Sequence, residues 1–374
     1  MNTAKHRLDF IDSLRGMAAL GVVIYHIALL PAPQLPVPVF FSQYILSGGT
    51  GITLFFVVSA FTMCLTMDGR ICGRQTTLDF YARRFFRIAP MFYVLFMISI
   101  IRDGMVHGVW HDLQTLWINM MFVFNLFPGQ NAGIVWAGWT IGVEMLFYLL
   151  FPFIFNYVTD FVKALCFFFI TLLLAELFHS LVTILPLSSD IKSSYQTMSL
   201  FRHLPNFAIG LVTYFGFKHL RRGEKNSFYY PAVFLSGLYL YHTLLSGKLA
   251  FLFDSLYWQG FIFSLILIGS SAIKVRLMRA TGILFIGKIS YSFYLIHPVL
   301  ITILSPVYTR IYQLGSGNLV HFSLSVLITL IPLTIISWIT YQYIEKPFII
   351  FIANRQRLKV NPNQRFNPVI PADT

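Results

Sequence analysis

The 374-residue chain is 57% hydrophobic and 11% charged, and it carries 39 Phe and a formal charge of +13. Soluble domains carry roughly 25% charged residues, so this composition excludes an ordinary soluble enzyme and points to lipid as the surrounding medium. The 27 Lys+Arg sit in short clusters between apolar runs. With no basic stripe interleaved with aromatics, no nucleic-acid partner is expected, and the pattern is the positive-inside bias of a multi-pass membrane protein.

With ~20 apolar residues per crossing, the sequence predicts an all-α polytopic fold of about ten transmembrane helices. They fall at 13–30, 50–67, 88–106, 136–157, 162–184, 201–217, 229–246, 256–273, 284–304 and 321–351. The stretch 112–127 (DLQTLWINMMFVFNLF) is apolar but short, and reads as an interfacial or re-entrant piece or as an eleventh span. Ten spans place one basic set together: Lys5 and Arg7; Arg70, Arg74, Arg83, Arg84 and Arg87; Lys218, Arg221, Arg222 and Lys225; Lys274, Arg276 and Arg279; and Lys346, Arg355, Arg357, Lys359 and Arg365. Little more than Arg102, Lys192, Arg202, Lys248 and Arg310 falls on the other side. The richer side is the cytoplasm, so both termini are predicted to be cytoplasmic. An eleventh span would scramble this sorting.

The first apolar segment has no small-residue cleavage site after it and is expected to be retained. Residues 1–352 read as one membrane domain, and 353–374 as a polar, proline-containing cytoplasmic tail expected to be disordered. Cys64, Cys72 and Cys166 are scattered and support neither a disulfide framework nor a zinc site.

Within the first segment, "SLRGMAALGVVIYHIALL", Arg15 and His26 are eleven residues apart. At ~100° per residue that is about three turns, so both share one helix face, with a rise of ~16 Å between them. An ionisable group at bilayer depth is a functional candidate by default, and histidine is suited to taking a hydroxyl proton near neutral pH. A packed histidine with Arg15 as a topology anchor remains open at this point. In "YARRFFRIAP", a loop after the second span, Arg84 and Arg87 lie at i and i+3 beside Arg83. Such a pair can grip the phosphates of a nucleotide or coenzyme A, or simply anchor the topology.

Glu144, in "WTIGVEMLF" after Trp139, is a lone membrane carboxylate whose expected partners are Arg15 or His26. It would orient the histidine or form a structural ion pair. His297 precedes Pro298 and reads as a packing histidine. Glu345 and Pro347 in "YIEKPF" read as a helix exit, with Glu345 as a lesser site candidate, and Ser59 is expected to bond its own helix backbone. "GILFIGKI" lacks the Ser/Thr of a phosphate loop at Ile289, and Glu176 with His179 lacks the rest of a di-iron set. His107 and His111 have no HExxH glutamate, and no GxSxG is present. No metal is expected.

Six segments now stand in order: "FIDSLRGMAALGVVIYH", "FFVVSA", "RRFFR", "WTIGVE", "GKISYSFYLIHP" and "YIEKP". Together they span residues 8–348, and the chain resembles the acyltransferase 3 family of bacterial integral-membrane O-acyltransferases. The resemblance implies acyl transfer from cytosolic acyl-coenzyme A to a hydroxyl, often on a surface glycan, in the bacterial inner membrane. Arg15 and His26 match the family's Arg-x10-His motif, and Arg84 and Arg87 its donor-associated Arg-x-x-Arg. Trp139 and Glu144 fall at its Trp-Ser/Thr…Glu position.

Ser59, Trp139, His297 and Glu345 complete the candidate set as supporting residues, with Arg83 added to the donor group. Ala60 departs from the glycine usual after the second-helix serine, which puts the packing there in question. No extracytoplasmic esterase-like domain of the kind some members carry is expected, so acceptor handling is expected of the membrane domain or a separate protein. The expected co-substrate is acetyl-coenzyme A, with no bound cofactor. The expected acceptor is a polysaccharide or lipid-linked glycan, lipopolysaccharide O-antigen first. A succinyl donor, a glucan or a small-molecule acceptor are the alternatives. The rival reading is a proton-coupled secondary transporter using Arg15, His26, Glu144 and Glu176, but paired halves with broken helices are not evident. A non-catalytic glycan-binding partner would not need the arginine pair.

Overall fold

A computed structural model describes residues 9–68, 74–223, 229–248, 254–272, 277–315 and 317–360. Lys5, Arg7, Arg70, Cys72, Lys225, Lys274, Arg276 and the tail from 361 onward lie outside the described residues. Among the described residues there is no strand. The main helices, in order, are α1 (Asp9–Leu29), α2 (Gly51–Met67), α3 (Arg74–His107), α4 (Leu113–Met120), α5 (Trp139–Tyr157), α6 (Phe161–Ile184) and α7 (Ser189–Met198). They continue with α8 (Leu200–Gly223), α9 (Tyr229–Leu245), α10 (Ser255–Ser270), α11 (Thr281–Lys288), α12 (Ser290–Tyr312), α13 (Asn318–Thr340) and α14 (Lys346–Val360).

Among the described residues, seven helical segments are long and apolar enough to cross a membrane: Asp9–Leu29, Val39–Met67, Thr77–His107, Trp139–Tyr157, Phe161–Ile184, Ser290–Tyr312 and Asn318–Gln356. Helices α8, α9 and α10 also fall where three further spans are expected. The described part of α9 has 17 residues, and α10 has 16, short of the ~20 that a 30 Å core needs. α8 carries Arg202 at one end and Lys218 to Arg222 at the other.

The chain divides into two compact units. The first comprises Met1–Thr66, Asp160–Ile170 and Pro205–Ser337. Its centre is the contact of α1 with α11 and α12. Ser13 Oγ donates to the Asp9 carbonyl at 2.9 Å and lies against the Met278 carbonyl. Gly287 faces the backbone carbonyl of Asp12 so closely that a Cβ there has no room. Ala60 is fully buried on α2 and faces Gly210 of α8, where an added Cβ would come within 2.6 Å of Ala60 Cβ. The small residue missing from α2 is thus supplied by α8, which answers the question that Ala60 raised.

The second unit comprises Met67–Thr159, Thr171–Leu204 and Trp338–Thr374. Here the sequence expectations need four corrections. The segment Tyr81–Arg87 is not a loop: α3 begins at Arg74 and runs 34 residues, about 51 Å at 1.5 Å per residue. The low hydropathy of its first turns hid a helix that packing secures. Phe80 stacks on Phe151 at 5.5 Å, and Tyr81 Oη donates to the Leu149 carbonyl at 2.8 Å.

The stretch 112–127 is no eleventh span. It is the eight-residue α4, about 12 Å long, followed by a 3-10 turn at Phe124–Leu126. Buried amides knit this loop: Asn119 Oδ1 accepts the Ile134 N–H at 2.9 Å, and Asn131 Nδ2 donates to Ser194 Oγ at 2.9 Å.

Pro347 does not end the last helix. It cannot donate to the carbonyl of Tyr343, and the helix widens into a π turn at Tyr341–Glu345 before α14 continues to Val360. Residues 353–360 are therefore helical and not part of a disordered tail. Gln356 explains why. Its Nε2 donates to the Asp79 carbonyl at 3.0 Å while its Oε1 accepts from Arg83 Nη1 at 2.7 Å, tying α14 to α3.

Candidate active site

Two clusters hold most of the residues singled out from the sequence. The first lies in the first unit, on α1 and α12. Gly16 of α1 sits against Gly287 at the end of α11, and ten residues further along each chain His26 meets His297. At 1.5 Å per residue His26 is about 15 Å beyond the glycine contact along α1, and His297 reaches it from α12, after the break at Ile289 between α11 and α12. His26 Nδ1 lies 3.0 Å from His297 Nε2, with ring centroids 4.9 Å apart and planes at 34°. Tyr25 packs edge-on to His26 at 5.1 Å, and Tyr294 lies 5.5 Å from His297.

The hydrogen bonds fix which nitrogens carry protons. His297 is fully buried, and its Nδ1 faces the Tyr294 carbonyl. A carbonyl only accepts, so His297 Nδ1 is the donor. In the neutral ring its Nε2 is then bare and accepts, which makes His26 Nδ1–H the donor across the 3.0 Å contact. His26 Nε2 is left without hydrogen, with a lone pair available to take a proton. His297 is thus a buried, satisfied histidine, as read from the sequence, and the partner it satisfies is His26.

Arg15 lies half-buried on the same uninterrupted helix as His26 and is engaged with neighbouring groups. Ser59 is half-buried in the middle of α2 and is also engaged.

The second cluster lies in the second unit, on α3 and α5. The Arg84 guanidinium sits over two rings, 5.6 Å from the Phe80 centroid and 5.4 Å from that of Tyr148. Tyr148 Oη donates to Glu144 Oε1 at 2.9 Å. The carboxylate's hydrogen bond thus runs along its own helix, at i and i+4, where the sequence pointed to Arg15 or His26. Arg87 is half-buried on the Arg84 face of α3, and among the described residues it makes no hydrogen bond or ion pair. Arg83, one turn before Arg87, donates to Gln356 Oε1 at 2.7 Å and so joins α14 to α3.

Trp139 opens α5, with its ring 5.2 Å from that of His203. Glu345, 3% exposed, ends the π turn and is engaged with neighbours. Glu176 and His179 are exposed on α6, which gives no support to a buried proton relay through Glu176.

Two groups went unnoticed in the sequence. Tyr148 was readable only as the i+4 neighbour of Glu144. Asp103 binds Arg102 at 2.7 Å and His111 at 2.9 Å, while Arg102 covers the Trp136 ring at 4.9 Å. This ion cluster closes the far end of α3.

The fold and these clusters define a multi-pass, all-helical membrane protein with a histidine pair and an arginine face. A family model described as an acyltransferase domain (Acyl_transf_3) matches residues 8–342. The chain belongs to the acyltransferase 3 family. It is 22% identical over 397 residues to the Staphylococcus aureus (strain COL) protein named "Putative O-acetyltransferase SACOL0978", with 90% of this chain and 56% of that protein covered. It is 25% identical over 173 residues to "O-acetyltransferase OatA" of Staphylococcus aureus (strain NCTC 8325 / PS 47), covering 40% of this chain and 25% of that one. The "Exopolysaccharide production protein ExoZ" of Rhizobium meliloti (strain 1021) is 29% identical over 110 residues, covering 28% of this chain and 33% of that protein. The chain spans about half the length of the Staphylococcus aureus relatives it matches along most of its own length. No solved structure matches it.

Proposed function

We propose that this chain transfers an acyl group, acetyl in the first instance, from cytosolic acyl-coenzyme A to a hydroxyl of a cell-surface polysaccharide. The observation that carries the reading is the His26–His297 pair, which leaves His26 Nε2 as a bare base within a membrane-length helix. His26 Nε2 takes the proton of the sugar hydroxyl as its oxygen attacks the thioester carbonyl. The C–S bond then breaks, and the His26 imidazolium returns the proton to the departing thiolate of coenzyme A. His297 Nε2, by accepting from Nδ1–H, stabilises the transient imidazolium. Arg84 and Arg87 hold the donor's phosphates by charge-assisted hydrogen bonds.

In this reading the arginine face and both termini are cytoplasmic, the chain makes ten crossings of a bacterial inner membrane, and no cofactor is retained between turnovers. A polysaccharide or lipid-linked glycan acceptor is favoured because one relative is named for exopolysaccharide production. Lipopolysaccharide O-antigen is the acceptor to assay first. Surface polysaccharide from bacteria expressing wild type, His26→Ala or no protein would be compared by mass spectrometry and proton NMR. A base-labile acetyl ester present only with wild type supports the reading. The same ester level with a well-inserted His26→Ala protein refutes it.

A further inference from the structure

We infer that Glu144 and Tyr148 are positioning residues for Arg84, and so act on donor binding and not on proton transfer at the reacting carbonyl. The inference rests on the reading of Arg84 as a phosphate-binding group. An arginine side chain has several rotatable bonds, and its affinity for a phosphate depends on being held in place beforehand. Arg84 is held by two aromatic faces, Phe80 and Tyr148. Phe80 is fixed by its stack on Phe151 within the core. Tyr148 is 5% exposed, and its phenol is fixed by the 2.9 Å hydrogen bond to Glu144.

That bond does two things. It locks the plane of the ring that Arg84 rests on. Donation to a carboxylate also shifts electron density into the ring, which strengthens its attraction for a cation. Glu144 has no further described contact beyond Tyr148, so a role in orienting an arginine accounts for its placement in an apolar helix.

The test uses the full-length protein purified in detergent, with free coenzyme A titrated by calorimetry and acetyl-coenzyme A turnover measured in parallel. Tyr148→Phe and Glu144→Leu should each weaken coenzyme A binding about two- to fivefold, with kcat unchanged within twofold, and their combination should be no worse than either. Glu144→Gln keeps an acceptor oxygen and should bind like wild type. In an Arg84→Ala background, Tyr148→Phe should have no further effect, whereas a purely structural tyrosine would weaken binding in either background.

If Glu144→Gln lowers kcat with KM unchanged, the carboxylate serves the chemistry and the inference is wrong. If Arg84→Ala weakens binding and Tyr148→Phe does not, the inference alone fails. If Arg84→Ala binds coenzyme A as wild type does, the donor-site reading beneath it has failed.

Discussion

Replacing His297 with phenylalanine removes the acceptor for His26 Nδ1–H while nearly preserving the buried volume. His297 is fully buried and bonded on both ring nitrogens, so the loss is that of a buried hydrogen bond, about 1–3 kcal/mol when a partner is left unsatisfied. At 1.36 kcal/mol per tenfold, that lowers the share of His26 carrying its proton on Nδ1 by about five- to 150-fold. The expected result is a kcat about 10- to 50-fold below wild type, with the KM for acetyl-coenzyme A unchanged. His26→Ala removes the base itself and should cost about 10²–10⁴. His297→Gln retains an oxygen that can accept and should recover most of the activity. The assay is release of coenzyme A thiol and ester formation in membranes matched for protein content. A His297→Phe protein with wild-type kcat, or one that loses only donor affinity, would refute the tautomer argument and return His297 to packing.

Other expectations follow from the packing and the arginine face. Gly287→Ala drives a methyl into the Asp12 backbone, so unfolding in detergent should be easier by about 1–3 kcal/mol, and turnover should fall further because α1 and α12 lose their register. Gly210→Ala meets Ala60 at 2.6 Å and the Val57 carbonyl at the same distance; it should destabilise by a similar ~1–3 kcal/mol, and Ala60→Gly in that background should recover part of it in the same melt. Arg87→Ala should weaken coenzyme A binding about tenfold or more, the equivalent of one charge-assisted hydrogen bond. Arg83→Ala should leave coenzyme A binding intact while making α14 more susceptible to proteolysis near Gln356.

What could be read in advance was whatever lies along one helix. The eleven-residue spacing of Arg15 and His26 holds because α1 is unbroken, and the shared face of Arg84 and Arg87 holds because α3 is. Partners across helices were not legible: periodicity shows which way a residue faces, not what it meets. That His297 meets His26 is therefore invisible in the sequence, and so is the bond from Tyr148 to Glu144, although it lies only one turn away. The helix boundaries failed where hydropathy and packing disagree. The polar start of α3 and the polar α14 are helical because Phe80, Tyr81, Arg83 and Gln356 bind them to neighbours.

Pro347 shows the same limit from the other side. A proline in a helix leaves an unpaired carbonyl, and from sequence the simplest outcome is an end. Here the backbone widens by a π turn and continues, and that turn is where buried Glu345 sits. π turns arise often at functional positions because they turn side chains out of the regular helical phase. Glu345 therefore points in a direction that no count of residues along a regular helix would assign. The same is true of His297, whose place opposite His26 depends on the break at Ile289 between α11 and α12. Both irregularities fall inside motifs that the sequence does display, "YIEKP" and "GKISYSFYLIHP". In "YIEKP" Pro347 stands two positions from Glu345, so that motif encodes a backbone departure together with the group it redirects.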